Sequence, residues 1–379
     1  MRISTQEILR RQKRVREVLR SEGADALIVE GRCGIEQRGW MRYLIDYYVP
    51  VFAESLVIPL DGPVTFFARN EGNARAAGER GLIDQVICMP PEEAEKQPGR
   101  CVGQFLRSNG VSRPALCGEM SRMFTGSLKE ALDGMPLMDL TDSMMEVRLV
   151  KSQEELAMCR EAVKLNESVF AKFLRGVREG RREIEAVAEA SCHGQKLDCE
   201  DQFWLIGSGP APRQRSLPLA IQKDHKWEKG DLCSVVIEIA GSGGYYGEIT
   251  HLISLGEPSE EVKRAFRMLT LARREAEKLI RPGERAGAAA QEVSRCLMDA
   301  GYWKNPFTGI MGHGQGLDMS EGPMLAAGSD LLLREGMRIN LHPCLTLRNG
   351  VGVTACDCYE VTDKGCRRLS ALPDDLIVL

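Results

Sequence analysis

Apolar and polar positions follow two regimes along the chain. Through residue 145 the apolar positions gather in short runs: ALIVE (26–30), ESLVIPL (54–60), VTFFA (64–68), QVICM (85–89), ALCGE (115–119) and LMDLT (137–141). Runs of this length rich in β-branched and aromatic residues predict strands. Helical stretches separate most of the later ones, near 71–80, 92–108 and 123–133. Ahead of them, Ser4 with Glu7 forms the pattern of a capping box and opens a helix that stops at Gly23. Strand–helix alternation of this kind predicts a small α/β domain over residues 1–145.

The second regime begins with another capping pattern, Ser152 with Glu155, opening a long helix over 153–175. GVREGRR breaks it, and a further helix is expected over about 182–197. LCSVVIEIAG (232–241) and YYGEITHLISLG (245–256) then predict two strands joined through the glycine-rich turn GSGG. Two more helices follow, near 259–280 and 286–300, separated by Pro282 and Gly283. MRINLHPCL, GVGVTACDCYEVT and a short C-terminal run predict strands again. Residues 146–379 are read as one α+β domain. Its order, helix pair then strand pair, over 153–256 and 259–362, allows a weak twofold repeat of structure that the residues themselves do not show.

Composition narrows the class. The 379 residues exceed one ordinary core, 43% are hydrophobic and 27% charged, and the net charge is −4 with both signs interspersed. Such a balance has no footprint for nucleic acid or an anionic membrane. No apolar run approaches the roughly 18 residues of a membrane span, and the charged N-terminal helix lacks the apolar core of a signal peptide. Thirteen cysteines, an odd number without paired CxxC motifs, point to reduced thiols and a cytoplasmic location.

Several residues carry possible chemistry. Glu238 sits inside the apolar VVIEIAG strand, where a carboxylate is costly unless paired, hydrogen-bonded or protonated. A hairpin pivoting near Gly243 sets Glu248 opposite it, and two close carboxylates without a cation force one pKa upward. His313 is framed by glycines in IMGHGQGL, which implies a close backbone approach. His342 ends the INLHP strand. Cys356 and Cys358 face one side of a strand, as two core thiols or a redox pair. RQRSLP, carrying Arg213 and Arg215, follows the loop GSGPAP and could meet a substrate carboxylate.

Taken in order, these segments resemble the pita-bread superfamily of creatinase, prolidase and aminopeptidase P. GDLCSVVIEIAGSGGYYGEIT resembles a strand Asp, a turn, then GYxxDxT. GHGQGLDMSEGP resembles GHGxGLxxHExP, and REGMRINLHP the xxGMxxxxEP strand. GVTACDCYEVTDKG resembles GxRxEDxxxVTxxG, and EVRLVKSQEELAMCREA the LRxxKSxxEIxxxRxA helix. The resemblance covers about residues 146–365 and implies a pita-bread C-terminal domain behind the smaller α/β domain. The five metal-ligand places of that superfamily, usually Asp, Asp, His, Glu and Glu, hold Glu238, Glu248, His313, His342 and Cys356. The histidine that usually follows GLxx is Ser320, and Leu219 lies where another histidine is expected.

Loss of the bridging carboxylate at Cys356 and the longer side chains at 238 and 248 argue against a two-ion hydrolase. The superfamily also holds metal-free members, so the first expectation is a hydrolase without cofactor that cleaves a C–N bond in a small polar or zwitterionic compound. Glu238, Glu248, His313 and His342 would be catalytic, with a glutamate as general base. Substrate-facing residues would be Glu54, Tyr47, Phe52, Arg213, Arg215, Glu321 and Cys356. Glu54 stands where creatinase carries a substrate-binding arginine, which suggests a cationic substrate group. The alternatives are a hydrolase or lyase with one zinc or iron ion on the same five residues, dipeptidase-like or dimethylsulfoniopropionate-lyase-like, and an inactive peptide-binding module. A homodimer is implied, with the aromatic segment 38–54 covering the partner's pocket.

Overall fold

The computed structural model describes residues 2–32, 38–49, 53–210, 224–306 and 308–379. It divides into two compact units, Arg2–Arg148 and Leu149–Leu379.

The first unit is built on a six-stranded mixed sheet. Ala26–Gly31 lies at its centre, antiparallel to Glu54–Pro59 and parallel to Pro114–Cys117. Its helix Thr5–Glu22 starts where the Ser4 hydroxyl accepts the Glu7 N–H at 3.1 Å, and ends at Gly23, whose φ of 71° favours glycine. The helix expected over 92–108 is two, Pro91–Lys96 and Pro98–Ser108. Pro98 lacks the N–H that would continue the first and serves as an opening residue of the second. The strand expected over 137–141 shrinks to Met138–Asp139, because Thr141 already begins the helix Thr141–Leu149. Trp40, Tyr43 and Tyr47 of the aromatic segment are buried within this unit, and Tyr48 is 37% exposed. These three rings therefore pack their own core.

The second unit shows helix pair and sheet twice. Gln153–Leu174, capped by the reciprocal Ser152–Glu155 box, and Glu183–Lys196 precede the antiparallel strands Asp201–Gly209, Leu232–Ala240 and Tyr246–Ser254. Ile377–Val378 joins the last of these in parallel. Helices Glu260–Glu277 and Ala286–Asp299 precede a five-stranded sheet in the order 321–326, 310–314, 338–341, 357–361, 366–368. The Asp201–Gly209 strand had no sequence signal as clear as its neighbours, since its first five residues are only half-buried.

Two contacts set the site's frame. Asn166, fully buried in the long helix, donates from Nδ2 to the carbonyls of Ile237 (2.8 Å) and Gly247 (2.7 Å), pinning both strands of the glutamate hairpin. Gly247 has no β-carbon because one there would press on the backbone of Ala162. The two sheets meet where the Cys356 N–H donates to the Thr250 carbonyl at 3.0 Å and His251 bridges to Ala355. Among the described residues no helix is long and apolar enough to cross a membrane.

Candidate metal site and its relatives

Glu238 and Glu248 are direct cross-strand partners on the hairpin, and both are buried. Glu248 is the better supplied. Its Oε1 accepts the Thr250 hydroxyl at 3.0 Å and the Cys356 thiol at 3.4 Å, and its Oε2 accepts Asn340 Nδ2 at 2.6 Å. The His313 Nε2 lies 3.7 Å from the same Oε2. Burial pushes the Glu248 carboxyl upward, but the His342 and His313 imidazoles and these hydrogen bonds outweigh it and hold the group below the usual range. Glu238 accepts Gln315 Nε2 at 2.8 Å. Burial first, and then the Glu248 charge, push its carboxyl well above the usual range. The pair is thus split into one acid that ionises readily and one that resists.

The histidines come from the opposing sheet. His313 is held by the Gly312–Gly314 backbone, where close approach is unavoidable. A β-carbon on Gly312 would collide with the Asn340 carbonyl, and one on Gly314 with that of Gly322. The His313 Nδ1 lies 2.8 Å from the Gly314 carbonyl, which places a hydrogen on Nδ1 and leaves Nε2 as the ring atom facing Glu248. His342, at the end of Arg338–Leu341, stands with its ring centroid 5.0 Å from that of His313. Desolvation holds its imidazole below the usual value, against the pull of Glu248, so it favours the neutral, coordinating form.

Glu248, His313 and His342 each present one ligand atom, and these atoms all lie within 4.8 Å of one another. A carboxylate and two imidazoles, one oriented through its other ring nitrogen, is a donor set for a single divalent ion. The residues fit. Glu238 and Cys356 flank this cluster without belonging to it. The Cys356 thiol is pushed well above its usual pKa, by burial and then by the neighbouring Cys358 and Glu248. Cys358 donates to the Glu248 carbonyl at 3.2 Å, and the Cys356 hydrogen bond leads in lowering its pKa to about 6.

Other residues expected to face substrate have different surroundings. Glu54, buried in the first unit, accepts the Tyr47 hydroxyl (3.1 Å), the Arg69 N–H (3.0 Å) and Asn73 Nδ2 (3.0 Å). Glu321 forms a buried ion pair with Lys151. Phe52, Arg213 and Arg215 lie outside the described residues. Asn340, Gln315 and Arg338, which line the glutamates, were missed from sequence. Their only signal was polarity inside MRINL and at the variable place of GHGQGL.

Two helix-pair-and-sheet halves that converge on a carboxylate and two imidazoles make this a pita-bread protein with a site suited to one divalent ion. The profile of metallopeptidase family M24 matches residues 157–363. The chain is 31% identical over 271 residues to the probable dipeptidase PepE of Mycobacterium tuberculosis, covering 70% of each. It is 26% identical over 369 residues to the Xaa-Pro dipeptidase of Pyrococcus horikoshii, covering 96% of this chain and 98% of that one. The dipeptidase PepE structure from Mycobacterium ulcerans superposes with a TM-score of 0.84 at 25% identity, covering 100% and 99% of the two chains. A prolidase structure from Thermococcus sibiricus reaches 0.87 at 21% identity over the whole of both. The chain belongs to metallopeptidase family M24.

That membership, with the Glu248–His313–His342 cluster, overturns the expectation of a site without cofactor. The substitutions at the five ligand places remove donors of a two-ion clamp. His342 and His313 instead retain, with Glu248, enough donors for one ion. The metal-free reading of the chemistry goes with it.

Proposed function

We propose that this chain is a metal-dependent hydrolase of small peptides, dipeptidase-like in substrate, working with one divalent ion held by Glu248, His313 and His342. The observation that carries this reading is the convergence of those three ligand atoms within 4.8 Å. Relatives named dipeptidase and Xaa-Pro dipeptidase support the substrate class. An ion there supplies Lewis-acid polarisation of a carbonyl and a water acidic enough to attack near neutral pH.

The chain's own groups divide the remaining work. Thr250 and Asn340 fix the Glu248 carboxylate from both oxygens, so its orientation does not depend on the ion. The Gly314 carbonyl keeps the His313 proton on Nδ1. Glu238 has its Oε2 held by Gln315 and its pKa raised, which suits it to keep a proton at Oε1 and pass it to a departing amine. The reading carries a homodimer in the cytoplasm with it. The described cysteines are all free thiols, in keeping with a reducing compartment, and light scattering at micromolar concentration tests the assembly.

The experiment is a panel of dipeptides, with and without C-terminal proline, offered to protein stripped by chelator and then reloaded with manganese, zinc or cobalt. Activity lost on stripping and regained on reloading is expected. Full turnover by ion-free protein would refute the metal requirement, and no cleavage of any dipeptide at full ion occupancy would refute the substrate class.

A further inference from the structure

Glu248, a buried carboxylate facing a second glutamate, needs a counter-charge even before an ion arrives. The fold provides one that no ligand pattern includes. Arg338, wholly buried on the 338–341 strand, lies behind the pair and reaches both glutamates through intermediaries. Its Nη1 donates to Asn340 Oδ1 at 2.6 Å, and Asn340 Nδ2 donates to Glu248 Oε2 at 2.6 Å. Its Nη2 lies 3.4 Å from Gln315 Oε1, and Gln315 Nε2 donates to Glu238 Oε2 at 2.8 Å. A third bond, from Nη1 to the Ile339 carbonyl at 2.9 Å, fixes the guanidinium itself.

The two arms share one logic. A primary amide can present either end, and a cation on its oxygen side decides which. Arg338 binds both amide oxygens, so both NH2 groups must turn towards the carboxylates. Hydrogen bonds in such a chain polarise one another inside a low-dielectric interior. A planar guanidinium with five donors reaches both amide oxygens and the Ile339 carbonyl at once, which suits arginine to this place.

We propose that Arg338 is the resident counter-cation of the Glu238–Glu248 pair, positioning both carboxylates through Gln315 and Asn340, and that it thereby limits the site to one divalent ion. This rests on the single-ion reading above and deepens it: Arg338 touches neither substrate nor ion and acts by holding the groups that do.

The test uses the full chain and two readouts. Manganese and zinc binding are measured by calorimetry with elemental analysis, and unfolding is followed in chelator. Wild type should take up one ion per chain. Asn340→Leu, which cuts the arm to the ligand Glu248, should weaken manganese binding about 10- to 100-fold, the usual cost of losing an outer partner of a ligand, whereas Gln315→Leu should change it less than about threefold. Arg338→Met should lower the melting temperature in chelator. Adding Glu248→Gln to it should recover much of that loss, because one negative charge leaves with the positive one. Compensation of this kind separates a counter-charge from a packing residue.

Wild type binding two ions, equal effects of Gln315→Leu and Asn340→Leu on the ion, or an Arg338→Met/Glu248→Gln double variant no more stable than Arg338→Met would each overturn the inference. If Arg338→Met yields no folded protein, recovery of folded protein in the double variant supports it and continued failure overturns it. Wild type that binds no ion defeats the proposed function, while the compensation in chelator still decides the role of Arg338.

Discussion

Glu238 and Glu248 occupy paired positions on adjacent antiparallel strands, yet their carboxyls are pushed in opposite directions. The difference lies in their neighbours. Glu248 faces two imidazoles and accepts three side-chain hydrogen bonds, whereas Glu238 accepts one from a neutral amide. On the proposed reading one hairpin supplies an ion ligand and a proton-holding group, and the first two predictions separate them.

Replacing Glu248 by Gln removes a charged ligand without changing shape. The variant should lose its ion on gel filtration and drop in turnover by roughly two to four orders of magnitude. Circular dichroism should match wild type. Retention of a full equivalent of ion by elemental analysis would show that Glu248 is not a ligand.

Glu238 makes a prediction about pH in ion-free protein. Its folded pKa is raised, so its contribution to stability is fully present below the unfolded value, near 4.5, and is lost as pH rises through the folded value. Glu238→Gln does not titrate. Urea unfolding in chelator should therefore show the variant gaining on wild type from about pH 5 upward, by at most about 1.4 kcal/mol per pH unit. A difference between the two proteins that stays flat with pH would contradict the raised pKa.

Lys151 and Glu321 form an ion pair with both side chains almost wholly buried, joining the start of the second unit to the strand beside His313. Lys151→Met leaves Glu321 buried without its cation and should cost about 3–5 kcal/mol in denaturant unfolding, with Lys151→Met/Glu321→Gln less affected than Lys151→Met. Equal losses in the two variants would assign the effect to packing.

Gly314→Ala tests the close approach behind His313. The added β-carbon would meet the Gly322 carbonyl, which belongs to the neighbouring strand and has little room to retreat. A loss of about 1–3 kcal/mol is expected, the usual range for overpacking, with weaker ion binding as His313 shifts. Unchanged stability and affinity would mean the strand yields freely.

Much of this arrangement was legible in the chain. A charged residue inside VVIEIAG, a glycine-rich turn and a second acid at matching distance placed Glu238 against Glu248, because strand pairing is local and obeys a two-residue period. Glycines flanking His313 signalled a close approach that sterics now account for. What the chain hid was long-range. The partners of Glu54 come from Tyr47, Arg69 and Asn73, so an acid that resembled a substrate group is hydrogen-bonded within its own unit. Arg338 and Asn340 lie on one strand and Gln315 just past the end of another, and nothing local says that their side chains meet. The metal was hidden for a related reason: a substitution at one place says little, because an ion responds to the donors that converge.

The hairpin that carries the two glutamates is finished long before the residues that neutralise it. Asn340 follows Glu248 by 92 positions, with Arg338 and His342 beside it. At translation rates of roughly 5–20 residues per second, the nascent chain holds that acidic hairpin for about 5–20 s before its counter-charges leave the ribosome. During this interval Ile237, Ile239 and Ile249, on the hairpin's other face, have the helix residues Val169, Phe170 and Phe173 already made to pack against, while the glutamate face still lacks its partners. Completion of the acidic core is therefore a late event in the protein's synthesis, timed by the arrival of a single C-terminal strand.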